Sequence, residues 1–201
     1  PWLNVREIHF GGGTPSHLAR EQLRAITAQI VMKFAAYGPL DEFAMEIDPR
    51  TVTRDDLQYY HSLGVDRISL GVQDFDPSVQ EAINRVQPYS MVRDIANGHP
   101  FKSLNFDLLF GLPRQTLESF ACTIDLTMEL RPSRITLIKY AHAPDVKRHM
   151  TLIKDAELPP SEQLPVMFEH AAEAFIAAGY RWIGHDNFAL PEDGLAQADF
   201  P

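Results

Sequence analysis

Asp66-Arg67-Ile68-Ser69-Leu70-Gly71-Val72-Gln73 alternates with a period of two. In an extended chain Ile68, Leu70 and Val72 share one face, and Arg67, Ser69, Gly71 and Gln73 share the other. The same division recurs upstream, where Phe43, Met45 and Ile47 oppose Ala44, Glu46 and Asp48. It recurs downstream, where Leu104, Phe106 and Leu108 oppose Asn105 and Asp107. A parallel strand covered on both sides should be apolar on both. One polar face in strand after strand therefore predicts a curled sheet, with helices outside and a polar-lined cavity inside.

Working outward from these three strands, β-branched and apolar segments occur at 5–10, 42–48, 66–73, 103–111, 134–141 and 181–189. Helical periodicity occupies 18–34, 54–63, 77–85, 117–130 and 162–178, and a shorter helix is expected at 90–97. Strand alternating with helix predicts βαβ units and a parallel sheet. Asp76-Pro77 places an N-cap before a proline at the first helical position. Gly64 and Gly179 stand where helices should stop, and Asn97-Gly98-His99-Pro100 is a breaker. The tail from Pro191 is polar and expected to be irregular. Polar residues sit late in their strands: Gly11 to Thr14, Glu46 and Asp48, Gln73, Asp107, His142, and His185 with Asp186. The C-terminal strand ends of an α/β barrel are where its active site is built. Any one of these residues reads equally well as a solvated loop residue. Taken together they do not, because strands bury charge only for a reason.

The 201 residues, 45% of them hydrophobic, suffice for one sizeable core. The formal net charge of −9 argues against nucleic acid as a partner. No apolar run reaches membrane-spanning length, so no membrane partner is expected. Pro1-Trp2-Leu3-Asn4 has neither a basic region nor an apolar stretch, so no signal peptide is visible there. The single cysteine, Cys122, rules out a disulfide framework and fits a reducing cytoplasm. It lies between Ala121 and Thr123 on a predicted helix and reads as a small core or boundary residue. Because the chain starts with Pro1 and a strand begins almost at once, we expect a fragment whose natural start is missing.

Gly11-Gly12-Gly13-Thr14-Pro15 follows a strand and precedes a helix. Its glycines let backbone groups approach a ligand closely, although a tight turn alone would use them too. No Gly-Lys-Ser/Thr follows, so it is no phosphate-binding P-loop, and it is not G-x-G-x-x-G. The specificity lies in the combination. Ile8-His9-Phe10-Gly11-Gly12-Gly13-Thr14-Pro15-Ser16 resembles the glycine motif of radical S-adenosylmethionine (SAM) enzymes. It is followed by Met45-Glu46-Ile47-Asp48-Pro49-Arg50, Gln73-Asp74-Phe75, Asn84-Arg85-Val86-Gln87, Asp107-Leu108-Leu109-Phe110-Gly111-Leu112-Pro113 and Tyr140-Ala141-His142. Together these resemble the oxygen-independent coproporphyrinogen III oxidases, from about Val5 to about Ala196. The variants favour the oxidase over its haem-chaperone relative.

The resemblance implies a partial (β/α) radical-SAM barrel, TIM-like, lacking its first strand and cluster loop. Residues 1–144 would form the barrel core, and 145–201 its C-terminal part and the start of an extension. It implies SAM as cofactor. Gly11, Gly12, Gly13 and Thr14 would receive the methionine amino group, with Glu46 a polar partner. Gln73 and Asp107 would hold the ribose hydroxyls. Arg85 would pair with the methionine carboxylate, a solvated helix end being its rival reading. Ala141 would offer backbone groups, to a second SAM among the options. The family's reaction is oxidative decarboxylation of two propionates of coproporphyrinogen III, giving protoporphyrinogen IX in haem biosynthesis. A SAM-derived 5′-deoxyadenosyl radical starts it. An electron donor such as a flavodoxin or ferredoxin is implied, and a monomer is expected. Substrate propionates could meet Arg114, Lys139, Lys147 or Arg148. The family's 4Fe–4S cluster needs three cysteines in a C-x3-C-x2-C run, and Cys122 alone cannot supply them; the fragment by itself is expected to be inactive. The family usually has His where this chain has Asn187. A metal site from His142, His185 and Asp186 matches no recognised spacing. The alternatives are a haem-binding chaperone of the same family and an inactive truncated remnant.

Overall fold

A computed structural model describes residues 5–34 and 40–198 of the chain. The residues of the leader reading, Pro1 to Asn4, lie outside them. Seven strands form one sheet in the order β1-β2-β3-β4-β5-β7-β6. They are β1 (Glu7–Phe10), β2 (Glu42–Ile47), β3 (Arg67–Gln73), β4 (Ser103–Phe110), β5 (Arg134–Lys139), β6 (Arg181–Gly184) and β7 (Asn187–Ala189). The first five run parallel in sequence order. The helices between and after them are α1 (Arg20–Phe34), α2 (Arg54–Ser62), α3 (Pro77–Ala82), α4 (Tyr89–Ala96), α5 (Leu117–Leu130), α6 (Gln163–Ala177) and α7 (Gly194–Gln197).

Local chemistry sets the helix boundaries. Asp76 caps α3 by accepting from the Ser78 and Val79 amides, with Pro77 first in the helix, as its sequence predicts. Thr53 and Asp56 form a reciprocal capping box on α2. Beyond that helix, Gly64 takes φ +95°, which a side chain would resist.

The two strand faces separate as their alternation requires. Ile68, Leu70, Val72, Phe106, Leu108, Ile135 and Leu137 are fully buried and pack outward. Phe120 and Ile124 of α5 and Met167 and Phe175 of α6 join them in one core. The opposite face is polar and concave. Its curl is visible in one contact: Arg134 on β5 reaches Glu42 on β2 at 2.6 Å, although two strands intervene. On a flat sheet strands three apart stand about 14 Å from each other.

Four expectations change. The tail from Pro191, expected to be irregular, carries the short helix α7, whose N-cap Asp193 accepts from the Leu195 amide at 2.8 Å. The strand expected over 181–189 is a hairpin: Gly184 (φ +132°) and His185 (φ +49°) turn the chain, and β7 then pairs antiparallel with both β5 and β6. Alternation alone cannot reveal such a reversal. The helix expected over 77–85 ends at Ala82, because Asn84 adopts φ +52° and the chain turns back toward β3. Cys122 is exposed on α5 rather than a core or boundary residue, since Phe120, Thr123 and Ile124 take the inward positions. Among the described residues, no helix is long and apolar enough to cross a membrane.

Candidate functional site

The concave face encloses a cavity of about 1030 Å³ that reaches from β1 to the β6–β7 hairpin. Its floor is an ionic lattice at the strand starts. Glu42 contacts both Arg67 and Arg134, and Arg134 also holds Asp193 at 2.6 Å. Arg67 Nε is 2.8 Å from Glu42 yet lacks a well-angled hydrogen bond, so that contact is electrostatic rather than directional. These pairs are nearly dry, which makes each costly to break singly.

The strand ends carry the predicted site residues. Gly11 leaves β1 so closely against its neighbours that a Cβ there would lie 2.7 Å from Glu46 Oε1 and 2.8 Å from His9 Nε2. Gly12 and Gly13 then take positive φ, +73° and +78°. The Gly12 amide donates to Glu46 Oε2 at 3.1 Å, and His9 Nε2 lies 3.2 Å from Oε1. Thr14 follows as the cap of a short 3-10 turn, Pro15–His17. Gly11, Gly12 and Thr14 border a second cavity of about 390 Å³ beside β1, and His9 faces both cavities. Glu46 is thereby gathered to the glycine turn.

Two strands along, Gly71 pairs in register with Asp107. A Cβ on Gly71 would meet the Gln73 amide nitrogen at 2.8 Å and an Arg85 guanidinium nitrogen at 3.0 Å. Gln73 and Arg85 therefore fold over the same polar face that carries Asp107. The Asp107 carboxylate accepts from Ser69 Oγ and Asn105 Nδ2, both at 2.8 Å. Burial holds it above the usual aspartate range, helped by the charge of Glu46 and opposed by those two hydrogen bonds. Glu46 and Asp107 thus sense each other across the cavity.

Arg85 is not a solvated helix end. Its guanidinium donates to the Gly71 carbonyl at 3.0 Å and lies 3.3 Å from Asp48 Oδ2. Its Nε is buried with no hydrogen-bond partner among the described residues. Burial pushes its pKa down, while Asp48 and Asp107 pull it up. Asp48 also takes Arg50 in a fork at 2.7–3.3 Å. Burial raises its pKa, but the Arg50 hydrogen bonds and the Arg85 charge outweigh that and keep it ionised. The site so combines two carboxylates, a half-satisfied guanidinium and a glycine turn with exposed backbone. That set suits a ligand bearing both a carboxylate and positive charge.

Ala141 lies two residues beyond β5 and is exposed. It borders neither cavity, and neither do Gly13, Gln73 and Arg85, the last two being placed by their closeness to Gly71. His142 contacts Asp155 at 3.2 Å rather than His185, and no group of three metal-ligating residues forms among the described residues. Arg114 is paired with Glu157, while Lys139, Lys147 and Arg148 are exposed. Asn187 lines the large cavity and lies within 3.4 Å of Thr136 Oγ1. Three contributors escaped the sequence reading of the site, although each carries a signal. His9 shares the inward face of β1 with Glu7 by simple alternation. Ser69 and Asn105 sit on the polar faces of their strands, where they steady Asp107.

The model of the radical SAM superfamily matches residues 2–127. The oxygen-independent coproporphyrinogen III oxidase of Pseudomonas aeruginosa is 41% identical over 198 residues, which is 96% of this chain and 43% of that protein. The Bradyrhizobium diazoefficiens protein of the same name is 42% identical over 202 residues, 98% of this chain and 44% of that one. The chain thus spans less than half the length of these curated relatives. The solved coproporphyrinogen III oxidase of Escherichia coli superposes with a TM-score of 0.88 at 36% identity, covering 96% of this chain and 45% of that one. A domain of a pyruvate-formate lyase-activating enzyme from Bacteroides vulgatus shares the fold alone, with a TM-score of 0.55 at 13% identity over 83% of this chain and 93% of that one. The chain belongs to the radical SAM superfamily, within which it is similar to the oxygen-independent coproporphyrinogen III oxidases.

Proposed function

We propose that this chain provides the SAM-binding half-barrel of an enzyme that oxidatively decarboxylates coproporphyrinogen III to protoporphyrinogen IX. The observation that carries the reading is the convergence of Glu46, Gln73, Arg85 and Asp107 on one concave face beside the glycine turn, with Arg85 Nε buried and unanswered. A ligand carboxylate at Arg85 would satisfy that nitrogen and complete a two-pronged contact. The turn at Gly11 to Thr14 and Glu46 would take the amino group. Gln73 and Asp107 would take the ribose hydroxyls, and the two carboxylates would favour the sulfonium charge. When bound, SAM supplies hydrogen-atom abstraction upon one-electron reduction. The polypeptide's part is to fix the reacting carbon's position and exclude water.

Each propionate that becomes a vinyl group loses carbon dioxide, a proton and two electrons, so the overall reaction requires an electron acceptor as well as a donor to start it. A flavodoxin or ferredoxin fits the donor role. The superfamily's 4Fe–4S cluster is a different matter. Cys122 is the chain's one cysteine, and it sits exposed on α5. The residues of this chain do not fit a cluster, whose three thiolates would have to come from outside these 201 residues. Residues 1–144 would form the barrel core that carries the cofactor, and 145–201 would form the C-terminal part of the barrel domain and begin an extension.

The test is the full-length protein, reconstituted with iron and sulfide and given SAM, a reductant and coproporphyrinogen III. It should release 5′-deoxyadenosine and carbon dioxide and accumulate the divinyl product. Haem binding without decarboxylation would instead identify the chaperone.

A further inference from the structure

Gln73 is held in an unusual backbone state. Its φ is +66°, and the Asp74 amide donates to the Val72 carbonyl at 2.9 Å, two residues back. A hydrogen bond of that span around a positive φ is the strained form of γ-turn. The register of β3 against β4 slips at the same place, between Gly71 and Gln73. The strain has a geometric result: the Gln73 side chain folds back above Gly71 and onto the polar face. Such a conformation persists only where the surroundings over-determine it.

The residue that does so is the next in the chain. Asp74 is fully buried beneath the sheet end. Its Oδ1 accepts from the Asp76 amide at 2.6 Å and from Thr123 Oγ1 at 2.7 Å, and its Oδ2 accepts from Gln115 Nε2 at 2.6 Å. Each donor belongs to a different element. Asp76 opens α3, Thr123 lies on α5, and Gln115 lies in the turn after β4. Gln115 is itself fully engaged: it accepts from the Gly111 and Leu112 amides and also donates to the Leu109 carbonyl. On the other flank, buried Gln87 donates to the Gly71 and Val72 carbonyls, and its backbone is bracketed by Gln80. Gln80 also donates to the Asp74 carbonyl at 2.9 Å. The ends of β3 and β4, which carry Gln73 and Asp107, are therefore joined through one dry carboxylate.

We propose that Asp74 is a positioning residue, which never touches the ligand but clamps the strained turn so that Gln73 faces the adenosyl group. This rests on the assignment of Gln73 as a ribose contact. Its three donors come from three elements, so the Asp74 carboxyl ties the end of β3 to α3, to α5 and to the turn after β4 at once. The strained φ of Gln73, the residue before it, is what that confinement holds.

The test uses the full-length protein and two variants, Asp74→Asn and Thr123→Val. Asparagine presents one acceptor oxygen where three donors converge; valine keeps the shape of Thr123 but removes both its donor to Asp74 and the acceptor of the Phe75 amide, which lies 3.2 Å from Thr123 Oγ1. Dissociation constants for SAM and for S-adenosylhomocysteine are measured by equilibrium dialysis beside the thermal midpoint, with Gln73→Ala for comparison. Asp74→Asn should weaken both ligands at least tenfold, and Thr123→Val about threefold. Combined with Gln73→Ala, each should cost little more than Gln73→Ala alone, because the same contact is already lost. If Asp74→Asn does not fold, Thr123→Val and its double variant carry the same decision. Unchanged affinities with a lowered midpoint, or losses that add in full to those of Gln73→Ala, would show a purely structural carboxylate and overturn the inference. Failure of the wild-type protein to bind SAM would instead sink the reading of the site itself, and the inference with it.

Discussion

Replacing Gly11 with alanine separates the site's geometry from the stability of the fold. The new methyl group would start 2.7 Å from Glu46 Oε1 and 2.8–2.9 Å from the His9 ring. To restore ordinary contact, Glu46 must retreat by about 0.7 Å. It can do so, since Glu46 and His9 are 41% and 46% exposed and both are flexible side chains. The retreat breaks the Gly12 hydrogen bond, but solvent replaces it, so folding should weaken by about 1 kcal/mol or less. Ligand binding should suffer more, because the carboxylate and the backbone turn no longer converge. We expect the SAM dissociation constant of the full-length protein to rise about 10- to 100-fold, equivalent to about 1.4–2.8 kcal/mol. The control is Gly64→Ala. There φ is +95° and the nearest contact is Phe43 at 3.9 Å, remote from the cavity. That change should cost about 1–2 kcal/mol of backbone strain and leave SAM affinity alone. Equilibrium dialysis and thermal unfolding on both variants read the two effects. Wild-type affinity in Gly11→Ala, or an affinity loss that merely tracks its melting temperature, would refute the reasoning.

Asp107 gives a pH signature. Its carboxyl is held above the usual aspartate range, so the native state keeps its proton longer than the unfolded chain does. Its contribution to folding stability therefore falls as pH rises from the ordinary aspartate range through its own, and Asp107→Asn should abolish that fall. SAM affinity should move the opposite way, rising as the carboxylate ionises; a titration by dialysis that is equally steep in Asp107→Asn would exclude the role. In the core, Phe106 is fully buried in the one cluster that α5 and α6 help to form, and Phe106→Ala should cost about 3–5 kcal/mol in urea unfolding at an unchanged slope. A loss under about 1.5 kcal/mol would mean that the outward strand faces do not form the central core.

Much of the scaffold is legible in the sequence because its information is periodic. Ile68-Ser69-Leu70 and Phe106-Asp107-Leu108 declare two faces within a few residues, and the curl follows from the polarity of one of them. The hairpin of β6 and β7 is not, because Trp182 and Phe188 fit a single continuous strand as readily as two. What decides is the reversal at Gly184 and His185, and only Gly184 hints at it. For the site, strand position suffices for Glu46 and Asp107, since a carboxylate late in a covered strand is costly unless something answers its charge. Arg85 requires the turn at Asn84, which no helical period encodes. Asp74, in sequence, is one more carboxylate after a strand. Its partners Gln115 and Thr123 lie 41 and 49 residues away, so its confinement is a property of the folded chain.

The sheet does not close on itself: among the described residues β1 and β6 are its outer strands, with no hydrogen-bonded partner beyond either. A sealed barrel of eight strands has an interior that side chains fill or that admits one small guest through its mouth. An arc of seven strands offers its hollow along a whole flank.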